Sequence, residues 1–353
     1  MAIFINGSAC ISHFNTLDGN YFFEDMSTTP TSNQLNATVP DYKEYIQPVN
    51  LLRRMSHVVK MGVSAALQSI KNSETDKVDA IIVGTGIGCS EDTDKFLRSL
   101  IENNEELLTP TSFIQSTHNT VAGQIALMIK CYGYNFTYVH QNLSFEYAML
   151  DAMMLLNDKE ETNVLVGGID ETTNSLFQLF NGAGHIKNIE ELEPVWTAKN
   201  KGYVLGEGAS LFNLNQVKSS GTYSEIKGIK CLQKVENPVV LIETTKKFLS
   251  GLNLNLTDID LVLSGNCGDA LMDKKITEFN NAINLPIGYF KNLCGEYFTS
   301  SGFAVWLASQ IIKKQQIPQA ILSNPTAFKK LNHILIVNHY HDQEYSLICI
   351  SAC

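Results

Sequence analysis

Val164-Leu165-Val166-Gly167-Gly168-Ile169-Asp170-Glu171 is the stretch on which the fold turns. Asn163–Val166 is largely apolar and stops at two glycines. It lacks the polar alternation of a half-wet strand and suits a strand buried on both faces. Phe145–Asn157, just upstream, spaces as a helix. The same succession occurs earlier. Leu51–Ile70 sets Leu52, Met55, Val59, Val63, Ala66 and Leu67 at helical spacing, and Val78–Val83 runs apolar into Gly84-Thr85-Gly86-Ile87-Gly88.

Outward from these segments the alternation continues. Ala2–Ile5, Asn135–Val139, Gly202–Leu214, Asp260–Leu263, Leu335–Val337 and Ser346–Ile350 read as strands or glycine turns with strands. Thr93–Glu105, Val121–Cys131, Val239–Leu252 and Ser300–Ile312 read as helices. Strands alternating with helices predict an α/β fold with largely parallel sheets. Gly19 to Val49 is polar and turn-rich, a long surface excursion. Near Ser219-Ser220-Gly221 the pattern restarts, dividing the chain into halves at 1–218 and 219–353.

The 353 residues carry a formal net charge of −10, with 44% hydrophobic and 18% charged residues. That balance is globular and argues against disorder. The charge disfavours nucleic acid and anionic membrane surfaces as partners, and an acidic carrier protein would also dock poorly. Cys10, Cys89, Cys131, Cys231, Cys267, Cys294, Cys349 and Cys353 are scattered without a CxxC pair. With no secretory signal in MAIFINGSACISHF and no apolar run of membrane-spanning length, the expected setting is cytoplasmic with reduced thiols.

Several segments together resemble a β-ketoacyl synthase, the enzyme that elongates acyl chains on a carrier protein. They are Leu52-Arg53-Arg54-Met55-Ser56, Val83-Gly84-Thr85-Gly86-Ile87-Gly88, the run PTSFIQSTHNTVAGQI from Pro110 to Ile125, Val164–Glu171, and Gly202-Tyr203-Val204-Leu205-Gly206-Glu207-Gly208-Ala209, followed by Gly221–Ile226. Each is weak alone; the order and spacing carry the resemblance over residues 1–230. It implies a thiolase-like five-layered αβαβα fold with two pseudo-duplicated halves, and a dimer across the strand Asn135–Val139.

The chemistry that the resemblance implies is missing. Decarboxylative condensation needs a thiolate to accept the acyl chain, two imidazoles to stabilise the enolate, and amides to cradle the oxyanion. Counting from Ala122-Gly123 forwards and from Gly167-Gly168 backwards puts Asn142 at the nucleophile turn, with Gln141 before it. A carboxamide forms no thioester. Chain-length factors of aromatic polyketide synthesis carry glutamine at this point, which makes Gln141 suggestive; both residues also suit a polar turn capping the helix near Phe145. Gly265 stands where the family's first histidine falls. In Lys291-Asn292-Leu293-Cys294-Gly295-Glu296, Glu296 replaces the second, and an ion pair with Lys291 is the structural reading. Val337–Asp342 replaces the family's glycine-rich loop.

Other readings of the polar residues are weaker. His333, His339, His341 and Asp342 could hold zinc but are more often plain loop polarity. Cys267 and Cys294 could be relocated nucleophiles, but free cysteine is commonly a small buried hydrophobe. Gly84–Gly88 lacks the spacing of a dinucleotide loop. No metal and no cofactor is expected.

The resemblance therefore implies a catalytically silent, chain-length-factor-like subunit without independent activity. It would pair as a heterodimer with an active ketosynthase, meet acyl carrier protein through that subunit, and serve fatty-acid-like, polyene (aryl-polyene) or polyketide synthesis. Ile87, Cys89, Thr93 and Phe96, on the helix after the GTGIG segment, are the expected gate of the partner's acyl tunnel. An active condensing enzyme with an atypical site, or a non-enzymatic acyl-binding homodimer, are the alternatives.

Overall fold

The computed structural model describes residues 1–17, 27–75, 77–106, 108, 110–158, 162–324 and 330–353. Ten strands form one hydrogen-bonded sheet, in two runs of five with the same pairing. The first run comprises β1 (Phe4–Ile11), β3 (Ala80–Gly84), β4 (Asn135–Tyr138), β5 (Val164–Asp170) and β7 (Gly208–Asn215). The second comprises β8 (Ser224–Gln233), β9 (Leu261–Ser264), β10 (Ile287–Tyr289), β11 (His333–Tyr340) and β12 (Glu344–Ser351). From the sheet's centre outward, the first run reads β1-β7-β5-β3-β4 and the second β8-β12-β11-β9-β10. Each begins with two antiparallel pairings and ends with two parallel ones. The runs meet where Phe4 and Ile5 of β1 pair with Glu225 and Ser224 of β8. A small separate ladder joins β2 (Gln34–Leu35) to β6 (Leu205–Gly206).

The helices are α1 (His57–Ser73), α2 (Ser90–Glu102), α3 (Pro110–Gln115), α4 (Thr120–Ile129), α5 (Ser144–Asp158), α6 (Asn174–Gly182), α7 (Pro238–Gly251), α8 (Lys274–Ile283), the single turn α9 (Lys291–Cys294) and α10 (Ser300–Lys314). Every residue of α10 from Ser300 to Ile312 is buried, and the helix packs on strands of both runs. It therefore lies between the two halves of the sheet, beside α5. A helix apolar all round is one enclosed on all sides. Val58, Val63 and Ala66 of α1 cover the outside of the first half, and Leu241, Leu249, Ile276 and Phe279 of α7 and α8 cover the outside of the second. The result is the expected succession of five layers.

Some boundaries moved. Leu51–Ile70 divides at Met55 and Ser56 into a 3-10 turn, Val49–Arg54, and α1. The helix read as Thr93–Glu105 begins three residues earlier, at Ser90, because Cys89 is its N-cap. Of the excursion from Gly19 to Val49, residues 19–26 lie outside the described residues; the rest holds β2 and 3-10 turns. No helix among the described residues is long and apolar enough to cross a membrane.

Candidate functional site

β4 ends at Tyr138, the sheet's edge, and the chain turns through a 3-10 segment, Gln141–Leu143, into α5. Gln141 takes a left-handed φ of 52°, uncommon for a residue with a side chain. Ser144 pins the bend: its Oγ accepts from His140 N at 2.8 Å and donates to Gln141 O at 2.8 Å. Asn142 caps nothing. Its Nδ2 donates to Glu344 Oε2 at 2.6 Å, and its Oδ1 is buried without a partner. The capping expected of Gln141 and Asn142 is done by Ser144, while Asn142 crosses to β12.

Gly265 follows β9. A Cβ there would run into the side-chain oxygen of Asn338 and lie 2.9 Å from its Cα, so no larger residue fits without backbone movement. The carboxamide of Asn338 thus occupies the space over the first vacant histidine position. At the second, Lys291 Nζ donates to Glu296 Oε2 at 2.7 Å and to His339 O at 3.0 Å. Both side chains are buried. Burial pushes the Glu296 carboxyl upward, and Lys291 pulls it back. The ion pair read from the sequence is in place.

The segment standing for the glycine-rich loop is a tight hairpin between β11 and β12, with His341 and Asp342 both left-handed (φ 50° and 57°). It brings aromatic rings into the space between the halves. Phe298 lies on Gly86, whose missing side chain gives it room, and packs 5.3 Å from Tyr340. Tyr340 stacks on His341 at 4.0 Å; His341 lies 5.0 Å from His185, and His185 stacks on Tyr203. The cavity left among Ile87, Leu176, Glu296 and Tyr340 is about 10 Å³, about enough for one water and for no acyl chain.

Neither cysteine near these positions is set up as a nucleophile. Burial drives both thiols well above their ordinary range, and Asp273 adds to the effect at Cys267. Cys267 Sγ donates to Asp273 Oδ1 at 3.3 Å, and the same oxygen lies 2.9 Å from His339 Nε2. Among the described residues, this buried trio is the one group with metal-ligand geometry. Asp342 N, however, donates to His339 Nδ1 at 3.3 Å. Nδ1 is thus an acceptor and the proton sits on Nε2, the reverse of a metal-bound imidazole, whose second nitrogen donates. The four residues weighed for zinc in the sequence do not converge: His333 Nδ1 pairs with Ser351 Oγ, and His341 is in the aromatic stack. In the Gly84–Gly88 loop the amide of Gly86 donates to Asp170 and that of Gly88 to Thr85, which leaves neither for a phosphate.

The four gate candidates separate. Ile87 and Thr93 line an apolar cleft of about 310 Å³ between α2 and α6. Cys89 does not: it is buried in the core under α1. Nor does Phe96, whose ring packs 5.3 Å from Phe113 of α3. The cleft's other apolar walls are Leu97, Leu176 and Leu179. The sequence reading missed the last two because it assigned no helix to 174–182, although Leu176, Leu179 and Phe180 stand at helical spacing there.

A family model described as the N-terminal domain of β-ketoacyl synthases matches residues 29–192. 3-Oxoacyl-(acyl-carrier-protein) synthase 2 of Vibrio cholerae is 23% identical over 223 residues, which are 58% of this chain and 54% of that protein. The chain thus spans about half the length of this curated relative. Among solved structures, the ishigamide ketosynthase/chain length factor superposes with a TM-score of 0.83 at 15% identity, covering 100% of this chain and 99% of that one. A β-ketoacyl synthase from Burkholderia phymatum gives 0.76 at 15% identity, with the same coverage of both chains. A type II polyketide-synthase acyl-carrier protein in complex with its ketosynthase gives 0.78 at 12% identity, again with 100% and 99% covered. The fold is that of the thiolase-like ketosynthases. The chain belongs to the β-ketoacyl synthase family.

Proposed function

We propose that this chain is a catalytically silent ketosynthase-like subunit. It pairs with an active ketosynthase, in the manner of a chain-length factor, and shapes that partner's acyl tunnel in fatty-acid-like, polyene or polyketide synthesis. The observation that carries the reading is Asn142: a carboxamide at the bend before α5, tied to Glu344, where a condensing enzyme needs a thiolate. Gly265 and the Lys291–Glu296 pair in the two imidazole positions, and aromatic rings in the chamber, support it. Asn142, Gly265 and Glu296 are, on this reading, the three vacated catalytic positions.

The pairing surface is β4. It is the last strand of its half of the sheet, and Phe136 is 46% exposed in a row with Tyr134 and Tyr138. An uncovered edge strand with an aromatic face is a liability for a solitary protein and a natural site for another strand. The partner would supply the catalytic residues and the docking surface for acyl carrier protein, which suits a chain of net charge −10. The setting is cytoplasmic and the cofactor requirement none. Of the gate residues, Ile87 and Thr93 remain candidates, joined by Leu97.

The test is co-expression with an intact ketosynthase from the same source, followed by size-exclusion chromatography and intact-mass analysis after incubation with acyl-carrier protein. The expected result is a stable heterodimer, with acyl adducts on the ketosynthase alone. A covalent acyl adduct on this chain would favour an atypical condensing enzyme. A homodimer that ignores the ketosynthase would favour an acyl-binding scaffold.

A further inference from the structure

The apolar cleft between α2 and α6 does not end in apolar wall. It abuts a second cleft of about 370 Å³, lined by His57, Glu91, Lys95, Glu171, Thr172 and Asn174. Asp94, Thr173 and Ser175 belong to both. At this shared boundary Ser175 Oγ donates to Asp94 Oδ2 at 3.0 Å, Arg98 Nε donates to the same oxygen at 2.9 Å, and the Arg98 guanidinium also donates to Ser175 Oγ at 3.0 Å. Each cleft alone is at the small end of ligand-site volumes; joined, they form an elongated site with one greasy end and one polar end.

The polar end is nearly neutral. Glu91 is paired with Lys95 at 2.6 Å, Asp94 with Arg98, and His57 lies 3.2 Å from Glu207. Glu171 is buried and accepts from the amides of Val58 and Glu91. A charged ligand group would have to break one of these pairs or face one unpaired. A neutral hydroxyl can donate and accept without disturbing any of them. A methyl terminus would only strip water from polar walls, at a cost.

We propose that the joined cleft takes an acyl chain carrying a hydroxyl at its far end, the methylenes between Leu97, Leu176 and Leu179 and the hydroxyl beyond the Asp94–Ser175 bridge, among Asn174, Thr172 and Lys95. This rests on the reading above only in taking an acyl chain as the ligand that reaches this face. It adds what distinguishes one chain from another.

The experiment is calorimetric titration of the purified full chain with the N-acetylcysteamine thioesters of dodecanoate and of ω-hydroxydodecanoate. The hydroxylated thioester should bind about tenfold more tightly, the effect of one well-placed hydrogen bond. Asn174→Leu with Lys95→Met, checked for native circular dichroism, should bring the two affinities together. Leu179→Asp, whose side chain is 70% exposed in the wild type and so threatens no core, should weaken both. Equal affinities for the wild type, or no binding to the folded wild type, overturn the proposal. Pairing with a ketosynthase is measured separately: a preference for the hydroxyl without pairing would sink the subunit reading and leave this one standing.

Discussion

Asp170 and Glu296 are carboxylates buried in the same region, and they are held in opposite ways. Asp170, at the end of β5, accepts from Thr85 Oγ1, Gly86 N, Thr299 N and Thr299 Oγ1, all between 2.8 and 3.0 Å. Its donors are neutral and come from both halves of the molecule, and burial lifts its pKa to about 6. Glu296 is held by a cation, Lys291, also fully enclosed. The first arrangement ties the loop after β3 to the start of α10 and belongs to the framework. The second fills a place where the family's reaction needs an imidazole. The framework can thus be kept while the chemistry is replaced by an internal salt link, because the two rest on different residues.

Removing one member of the enclosed ion pair should do most damage. Glu296→Ala leaves the Lys291 ammonium buried without its counter-charge and should cost about 3–5 kcal/mol in urea unfolding, whereas Lys291→Met with Glu296→Leu should restore most of it. A single-variant cost under about 1 kcal/mol would mean the pair holds nothing. Next comes Glu171, neighbour of Asp170 and likewise held by backbone amides. Burial lifts its pKa from 4.5 to about 7, so the native state binds this proton more tightly than the unfolded chain does. Stability should therefore fall, relative to Glu171→Gln, as pH rises from about 4.5 to about 7, by on the order of 3 kcal/mol. Thermal melts of both proteins across that range check it; parallel curves would contradict it. Gly265→Ala should cost about 1–3 kcal/mol by forcing a methyl onto Asn338, with Asn338→Gly as the relieving second change. Asn142→Cys should change stability by under about 1 kcal/mol and gain no activity, since no imidazole stands at 265 or 296. Malonyl decarboxylation by that variant would break the contrast between framework and chemistry.

The sequence made the framework legible because its strands and turns are local. Val164–Asp170 and Ala80–Gly84 are short apolar runs closed by glycine, and the spacing between motifs brought out Asn142, Gly265 and Glu296 without coordinates. Lys291 and Glu296 are five residues apart, close enough for their pairing to be read directly. The stopper was not legible. Phe180, Phe298 and Tyr340 are far apart in the chain, and nothing in any one segment says that their rings meet. The gate failed for a different reason: beginning α2 at Ser90 fixes the phase that turns Phe96 onto Phe113 and leaves Leu97 facing the cleft. His339 looked like loop polarity until the tight hairpin carried β11 past it and turned its ring onto Asp273.

The position of α10 has a consequence for synthesis on the ribosome. Residues 300–312 form the inner wall against which β1, β5 and β7 close, yet they are made after more than four fifths of the chain. Until then the N-terminal strands present an apolar face with no cover, so nascent or truncated chains should draw on chaperones far more heavily than the finished protein.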